Sequence, residues 1–229
     1  QGLVWQRVNP WIGGAIRYFN GNLMRSSGGS VQISTNLGIS WRNYYKVTNP
    51  VNEPDISSPS HINDFAFGNN IYVAVGVKAN ATSAPTLFSS VDAHTWDRNG
   101  GLDLHLNSVI FGDGLFVTVG DGGVIMSSAD GVNWDSQVSG TAENLEEVTW
   151  GHAGFIAVGF DNVILTSTDA VTWTVQSTPF DTNYTAVGYR AGVYIAAGKG
   201  QVLRSTDGIN WTRQLLLSAS SSAETFSSI

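Results

Sequence analysis

A seven-residue pattern that begins with Ser, carries Asp at its third position and ends in Trp recurs along this chain. Four copies occupy residues 90–96, 128–134, 167–173 and 205–211, and a fifth copy, 34–41, is one residue longer and carries Asn in place of Asp. The last three Trp residues follow at intervals of 38, 39 and 38 positions. Self-similarity with a period of roughly 20–50 residues is the signature of a repeat architecture, so the fold has to be built from copies of one supersecondary unit.

Each unit contains four short apolar or alternating segments separated by Gly, Asp or Asn residues. The first segment ends in an aromatic residue followed by Gly at 67–68, 111–112 and 150–151, whereas Tyr189 is followed by Arg190. Short runs of this kind, bounded by turn-forming residues, are typical of β-strands joined by tight turns. Four strands per unit of about forty residues predict an all-β fold, a β-propeller of four-stranded antiparallel blades.

We predict one β-propeller domain over residues 1–229 with five complete blades. Residues 1–8 align with a fourth strand and residues 225–229 with the start of a first strand, so we expect them to be split pieces of a further blade. Three arrangements stay open: closure of the ring within the chain, a strand-swapped oligomer, or a longer protein, because an open ring would expose strand edges. The approximate blade boundaries are 10–47, 61–99, 105–139, 144–177 and 184–217.

The composition argues against several classes of protein. The 18 acidic and 11 basic residues give a net charge of −7, which opposes binding to the phosphates of nucleic acids. The chain has no Cys, so disulfides, thiol nucleophiles and Cys-ligated zinc are excluded. No apolar run approaches the ~18 residues of a membrane-spanning helix. Hydrophobic residues nevertheless make up 42% of the chain, which is enough for a packed core.

The repeated pattern resembles the signature of the Asp-box (bacterial neuraminidase repeat) propellers, Ser/Thr-x-Asp-x-Gly-x-x-Trp. Four copies here are one residue shorter between Asp and Trp, and Ala93 and Ala170 replace Gly. The units are also similar to those of photosystem-assembly-factor-like and sialidase-like repeat proteins. The resemblance implies a propeller with the pattern at the turn between the third and fourth strands of each blade. Such proteins are commonly exported, which implies a secreted, extracellular or periplasmic location.

We interpret the repeated Ser, Asp and Trp as structural residues. A Ser hydroxyl and an Asp carboxylate bond to nearby backbone groups and hold a turn closed. The Trp adds a large apolar surface between neighbouring blades, so we expect Trp134, Trp173 and Trp211 to be largely buried at equivalent positions. The residues of this structural set are Ser34, Asn36, Trp41, Ser90, Asp92, Trp96, Ser128, Asp130, Trp134, Ser167, Asp169, Trp173, Ser205, Asp207 and Trp211.

Catalytic and metal-binding patterns are not recognisable in the sequence. The Arg-Ile-Pro segment of sialidases is missing, and the four His residues lie in different loops without ligand spacing. The Gly-rich segment 120–123 is predicted to be a hairpin turn rather than a phosphate loop, because no helix follows it. We therefore predict no cofactor, no metal and no catalytic residue. Glycoside hydrolysis by a carboxylate pair that includes Glu146 or Glu147 stays open as a less favoured alternative.

Departures from the repeat predict where a ligand binds. Insertions at 47–60 and 77–85 enlarge blade two and should emerge opposite the Asp-box turns, where variable loops on a rigid scaffold can form a site. We expect a secreted, non-catalytic binding module that recognises a glycan through loops between blades. The alternatives are a protein-binding scaffold or assembly factor and, less favoured, a fragment of a polysaccharide-acting glycoside hydrolase. The candidate ligand-binding residues are Asp64, Asp121, Glu146, Asp161 and Lys199.

Overall fold

The computed structural model describes residues 16–27, 30–44, 47–48, 61–77, 87–99, 104–176, 178 and 180–214. These residues form five β-sheets, each of which is one blade of the predicted β-propeller. Helical structure in this part of the chain is limited to one short 3₁₀ turn, Asp121–Gly123. The described residues contain no helix with the length and apolar character that a membrane crossing requires.

Within each blade, four antiparallel strands follow one another across the sheet in chain order. Blade one contains β1 (Ile16–Phe19), β2 (Asn22–Ser27), β3 (Ser30–Ser34) and β4 (Arg42–Tyr44). Blade two contains β5 (Val47–Thr48), β6 (His61–Gly68), β7 (Ile71–Val77), β8 (Leu87–Ser90) and β9 (Trp96–Arg98). Blade three contains β10 (Leu106–Gly112), β11 (Leu115–Gly120), β12 (Ile125–Ser128) and β13 (Asp135–Gln137). Blade four contains β14 (Leu145–Gly151), β15 (Gly154–Gly159), β16 (Ile164–Ser167) and β17 (Thr174–Gln176). Blade five contains β18 (Tyr184–Arg190), β19 (Val193–Gly198), β20 (Gln201–Ser205) and β21 (Thr212–Gln214).

Blade two differs from the predicted four-stranded blade by one additional strand. The short strand β5 pairs in parallel with the outer strand β9, with Val47 opposite Trp96 and Thr48 opposite Asp97. The sequence placed residue 47 at the end of blade one, but its backbone belongs to the sheet of blade two. The chain passes from blade one to blade two at this edge, and the outermost strand of a sheet can add a further strand through its backbone N–H and C=O groups.

Several sequence predictions fall on residues outside the described ranges. They are the two terminal pieces of a further blade, 1–8 and 225–229, and most of both insertions in blade two, 49–60 and 78–86. The single-domain assignment over the whole chain therefore stays a prediction.

Tight turns join the first two strands of each blade. In blades one, two, three and five both turn residues have positive φ, as in the two-residue hairpin loops that match the twist of the flanking strands. Gly, Asn and Asp tolerate this left-handed backbone best, which explains why the first apolar segment of each unit ends where it does. The turn pairs are Asn20–Gly21, Asn69–Asn70, Asp113–Gly114 and Ala191–Gly192.

The repeated aromatic–Gly pair results from close packing between neighbouring blades. A Cβ atom at Gly68 would lie 2.1 Å from the ring of Phe111, and one at Gly112 would lie 2.2 Å from the ring of Trp150. The aromatic ring of each following blade thus occupies the space that a side chain would need. Blade five carries Arg190 at this position, so the pattern ends there.

Hydrophobic clusters lie between successive blades rather than inside any one sheet. One cluster joins blades one and two, and three further clusters join the pairs from two and three to four and five. Between blades three and four, for example, Val119 packs in the same cluster as Phe155 and Trp173. Burial between blades is the largest apolar contribution to stability in such a repeat architecture.

The first strand of blades two to five carries an irregularity at the same place. The pairing with the second strand skips one residue, as in a β-bulge, at Asn63, Asn107, Glu146 and Thr185. A bulge re-aims the side chains beside it and leaves backbone groups unpaired in the ladder. Both effects shape the centre of the molecule, because the first strands of the blades lie next to one another around the propeller axis.

Candidate functional site

In three of the four blades with a bulge, the residue after the bulge connects its blade to the next through a hydrogen bond from a backbone N–H to its side chain. In blades two, three and four this residue is Asp64, Ser108 or Glu147, and its side-chain oxygen accepts the N–H of the following first strand. Blade five has Ala186 at this position, which has no acceptor. The three bonds run from Val109 N to Asp64 Oδ2 (3.1 Å), from Val148 N to Ser108 Oγ (3.4 Å) and from Val187 N to Glu147 Oε2 (2.9 Å).

The bulge residues themselves form a second connection. The amide of Asn63 donates to the carbonyl of Leu106, and the amide of Asn107 donates to the carbonyl of Leu145, both at 2.9 Å. In blade four Glu146 takes the place of these Asn residues, and an ionised carboxylate has no N–H to donate. Glu146 therefore cannot make the hydrogen bond to the next blade that Asn63 and Asn107 make.

Arg17 joins the first strands of three blades. Its guanidinium lies 3.0 Å from Oδ1 of Asp64, donates to Oδ2 of the same residue at 3.1 Å, and lies 3.7 Å from Oε1 of Glu147. Ser108 also donates to Asp64 Oδ2 at 3.0 Å. We call Arg17, Asp64, Ser108 and Glu147 the channel cluster, because all four belong to the strands around the propeller axis.

Burial dominates the electrostatics of both carboxyl groups in the channel cluster. Loss of water raises the pKa of Glu147 to about 7, although the Val187 N–H and Arg17 oppose this shift. Burial also raises the pKa of Asp64, against the opposing effects of Arg17 and of hydrogen bonds from Val109, Phe65 and Ser108.

A cavity of about 410 Å³ adjoins the channel cluster. Arg17 and Glu147 provide its polar end. Its walls are largely apolar, with Ile110, Val148, Val187 and Ile195 among them, and its other end is formed by Tyr189, Arg190 and Val193. A concave, mostly apolar space with a few convergent polar groups is typical of a ligand pocket.

The cavity extends toward the face of the molecule that carries the turns between first and second strands. Glu147 lies within β14, whereas Arg190 is the last residue of β18 before such a turn. The turns between third and fourth strands emerge on the same face, because Ser167 pairs with Phe155 beside the first turn of blade four. This face lies opposite the one on which the sequence placed the ligand.

The structure places the five sequence candidates in three different environments. Asp64 is fully buried in the channel cluster. Asp121 is partly exposed, with its carboxylate 3.3 Å from Nδ1 of His105, and it accepts a hydrogen bond from the amide of Asn107 at 2.9 Å. Glu146 is half-buried, and burial together with the nearby Asp121 carboxylate raises its pKa.

The last two candidates lie in exposed turns between second and third strands. The backbone N–H of Asp161 donates to Oδ1 of Asn183 at 3.0 Å, which connects blade four to blade five. Lys199 follows the second strand of blade five. Asp121, Glu146, Asp161 and Lys199 are all absent from the lining of the cavity described above.

The sequence named Glu147 only as a possible member of a catalytic carboxylate pair and not as a ligand-binding residue, and it gave no reason to select Arg17. The bulge between Leu145 and Glu147 changes which side chain of β14 turns inward, and the cavity is lined by Glu147 rather than by Glu146. Arg17 was missed because blade one departs from the repeat. An alignment of the repeat units places Glu147 at the same position as Asp64 and Ser108. This alignment was the signal in the sequence that could have identified Glu147.

The turns between third and fourth strands repeat one hydrogen-bond pattern. We call residues 34–41, 90–96, 128–134, 167–173 and 205–211 the box turns. In the last four, the Ser hydroxyl donates to the Asp carboxylate at 2.9–3.0 Å. Backbone N–H groups two and three residues after the Asp donate to the same oxygen at 2.7–2.9 Å.

The Trp residues that end the box turns are not all equivalent. Trp96, Trp173 and Trp211 are buried, and each donates its indole N–H to the backbone carbonyl three residues earlier. Trp134 is less deeply buried than these three residues, and its enclosed indole N–H has no hydrogen-bond partner among the described residues. Its counterpart carbonyl, that of Gly131, instead accepts a hydrogen bond from Asn99 of the preceding blade at 2.9 Å.

Groups of three or more His, Asp or Glu residues that could hold a metal ion do not occur among the described residues. The sequence matches no model of a protein family and no curated protein. Solved structures with similar folds nevertheless exist, and the sequence identities are low.

Three of these structures show how different the proteins with this fold are. YCF48 bound to D1 peptide has a TM-score of 0.62 and 13% identity over 91% of this chain and 69% of that chain. Virginiamycin B lyase from Staphylococcus aureus has a TM-score of 0.70 and 12% identity over 91% of this chain and 70% of that one. An ancestral GH74 enzyme has a TM-score of 0.63 and 16% identity over 93% of this chain but 33% of its own. At such identities the likeness shows the propeller fold alone.

Proposed function

We propose that this protein is a non-catalytic binding module that holds a peptide segment of a partner protein in the cavity beside the channel cluster. The observation that carries this proposal is the cavity itself, which has mostly apolar walls, Arg17 and Glu147 at one end, and Tyr189 and Arg190 at the end toward the face of the box turns. Its volume of about 410 Å³ falls in the range of roughly 300–1,000 Å³ that is typical of ligand pockets.

A binding role fits the chemistry of the channel cluster better than hydrolysis does. Hydrolysis of a glycosidic bond by two carboxyl groups requires both to reach the substrate from opposite sides of a cleft. Asp64 is buried and accepts hydrogen bonds on both carboxylate oxygens, so only Glu147 of this pair faces the cavity. A single accessible carboxyl group can hold a ligand without cleaving it.

The comparison with known structures supports a peptide as ligand. The structure of YCF48, which shares the propeller fold, contains a bound D1 peptide. A peptide can place one side chain in a cavity of this size while its backbone lies across the surface. This is the protein-binding alternative from the sequence, and it rests on the cavity and the shared fold together.

Glycan recognition remains a second candidate because of one exposed aromatic residue. The side chain of Trp150 is 42% exposed although its ring packs on Gly112, and it lies near the first-turn end of β14. Aromatic rings with one free face provide apolar area beside polar groups, which suits a sugar ring. Tyr189 lies one blade further at the end of the cavity.

Peptide display with three variants tests the proposal. Random peptides selected on the wild type are measured against Val193→Trp, which narrows the cavity, and Val175→Trp, a control on an outer strand. Lys199→Trp tests the opposite face, where the sequence placed the ligand. We expect only Val193→Trp to abolish binding.

The other outcomes of this experiment are also informative. Loss of binding with Lys199→Trp alone would move the ligand to the face of the insertions and overturn the proposed site. Glycan-array binding by the wild type, in the absence of any selected peptide, would favour the second candidate.

Export is a further proposal, and it is supported by the repeat resemblance. Secretion of the complete encoded protein would test it. The part that residues 1–8 and 225–229 play in the ring stays a prediction from the sequence.

A further inference from the structure

The two carboxylates of the channel cluster differ in how well their oxygens are satisfied. Asp64 accepts hydrogen bonds from Phe65 N (2.8 Å), Val109 N (3.1 Å), Ser108 Oγ (3.0 Å) and Arg17 (3.1 Å). Among the described residues Glu147 accepts one hydrogen bond of this kind, from Val187 N to Oε2 at 2.9 Å. Its other oxygen, Oε1, therefore has an open acceptor position among the described residues.

Arg17 does not fill that position. Its guanidinium is in contact with Asp64 at 3.0 Å but lies 3.7 Å from Glu147 Oε1, beyond hydrogen-bond distance. The positive charge of Arg17 thus lies closer to the carboxylate of Asp64 than to that of Glu147. The side chain of Glu147 is only 11% exposed, so water compensates its charge poorly.

The surroundings of Glu147 Oε1 favour a positively charged partner. The cavity walls around it are mostly apolar, and the remaining titratable groups of the lining, Tyr189 and Arg190, lie at its other end. Arg190 is exposed, so solvent and salt screen its charge. The net charge of −7 on the whole chain also attracts cations at long range.

We propose that the ligand of this cavity places a cationic group, an ammonium or a guanidinium, against Glu147 Oε1. This inference rests on the proposed function and specifies it, since the bound peptide would insert a Lys or Arg side chain or its amino terminus. An N–H donor with a full positive charge forms a charge-assisted hydrogen bond with the open oxygen and compensates the buried carboxylate. An anionic group at the same place would face the negative charge of Glu147.

Small probe ions test the inference without knowledge of the partner. n-Butylguanidinium and n-butylammonium are titrated into the wild type, with butyrate and n-butanol as anionic and neutral controls of similar size. Binding is followed by the NMR signals of the Val187 amide, which donates to Glu147. We expect the two cations to shift this signal, and butyrate and butanol to leave it unchanged.

Two matched variants assign the effect to one carboxylate. Glu147→Gln keeps an acceptor for the Val187 N–H and removes the charge, whereas Glu146→Gln changes the adjacent residue, which lies outside the cavity. We expect the cations to bind Glu147→Gln about tenfold more weakly, and Glu146→Gln like the wild type.

A measurement on the wild type alone keeps the inference testable if Glu147→Gln does not fold. Binding and ionisation are linked, so a cation that prefers the ionised carboxylate about tenfold lowers its pKa by about one unit at saturation. The pKa of Glu147, followed by the chemical shift of its side-chain carbon, should fall with n-butylguanidinium and stay constant with n-butanol.

The possible failures separate this inference from the proposed function. Equal binding of cations to the wild type and Glu147→Gln, or a constant pKa of Glu147, would overturn the inference. If displayed peptides occupy the cavity but carry no basic group, peptide binding stands and the cationic group is wrong. If the cations bind as expected and no peptide is selected, the cation site stands and the peptide partner is wrong.

Discussion

The box turns and the channel cluster use the same residue types with opposite electrostatic results. In the box turn of blade four, Asp169 is exposed and accepts the N–H groups of Val171 and Thr172 at 2.9 and 2.7 Å, which lowers its pKa to about 2. In the channel cluster, burial raises the pKa of Glu147 to about 7. The difference shows that access to water, together with the number of N–H donors, decides which form of a carboxyl group the fold stabilises.

The two regions also differ in how strictly they repeat. The box turns carry Ser and Asp in four blades with nearly identical bond lengths, because each turn has the same backbone to hold. The position after the bulge carries Asp64, Ser108, Glu147 or Ala186. Any acceptor can take the N–H of the next blade, so this position can differ between blades. A repeat protein can therefore build one asymmetric site at its centre.

The largest expected effect concerns the Trp of a box turn. Trp173→Ala should lower the free energy of unfolding by about 3–5 kcal/mol, because a buried ring between two blades is lost. Trp134→Ala is the matched control and should cost clearly less, since its ring is half-buried and its N–H has no partner among the described residues. Urea unfolding of both variants measures the difference. Equal losses would show that the two turns pack alike.

The stability contributed by the channel cluster and by the box turns should change in opposite directions with pH. Because the pKa of Glu147 is raised from 4.5 to about 7, the folded state binds its proton more tightly than the unfolded state. This contribution is fully present below pH 4.5 and is lost as the pH rises through about 7, by up to about 3 kcal/mol.

The box-turn carboxylates act in the opposite direction. Their pKa values are lowered from 3.8, so their contribution to stability is present above that pH and is lost as the pH falls through the lowered values.

The urea midpoint measured as a function of pH tests the effect of Glu147. The stability of Glu147→Gln should increase relative to that of the wild type between pH 4.5 and 7. Parallel curves for the two proteins would contradict the assignment.

Removal of the shared positive charge should have an intermediate effect. Arg17→Met leaves Asp64 buried without its counterion and should cost about 2 kcal/mol, below the usual range for a buried pair because Arg17 is partly exposed. Arg213→Met, at an exposed position of an outer strand, should change stability by less than about 0.5 kcal/mol. Chemical denaturation compares the two. A similar small change in both would mean that Asp64 does not need its counterion.

The smallest expected effect concerns a box-turn carboxylate. Asp207→Ala removes the acceptor for Ile209 N and Asn210 N and should cost about 1 kcal/mol, since water can replace these bonds at an exposed turn. Asp135→Ala, on an exposed strand position, is the control and should be nearly neutral. Thermal unfolding of the two variants is sufficient. A loss above that of Arg17→Met would reverse the order of the two regions.

Much of the fold could be predicted from the repeat. The alternating segments, the Gly-containing turns and the Ser-x-Asp pattern are local features. They set where each strand begins and ends, because they depend on the backbone preferences of neighbouring residues. The strand β5 could not be predicted, because two residues carry no strand signal until the free edge of β9 is available to them. The hydrogen bond from Asn99 to the carbonyl of Gly131 likewise could not be predicted, because it joins two blades and residues that lie 32 positions apart.

The candidate site was predicted less well than the fold. Asp64 was selected as a carboxylate at the end of the first strand of blade two, and it belongs to the channel cluster, but Glu146 was chosen as a ligand-binding residue where Glu147 lines the cavity. The two residues are adjacent and chemically alike, and only the bulge in β14 decides which one turns inward. Arg17 had no counterpart in the other units, so the repeat gave no reason to select it.

The sequence by itself determined the repeated unit, its strands and turns, and the all-β class of the protein, because these depend on contacts between near neighbours in the chain. The tertiary structure alone decided which side chains meet at the axis. Arg17, Asp64 and Glu147 lie in three different blades, and their distances result from the packing of whole sheets against one another. The raised pKa of Glu147 follows from the same cause, since only the assembled blades exclude water from it.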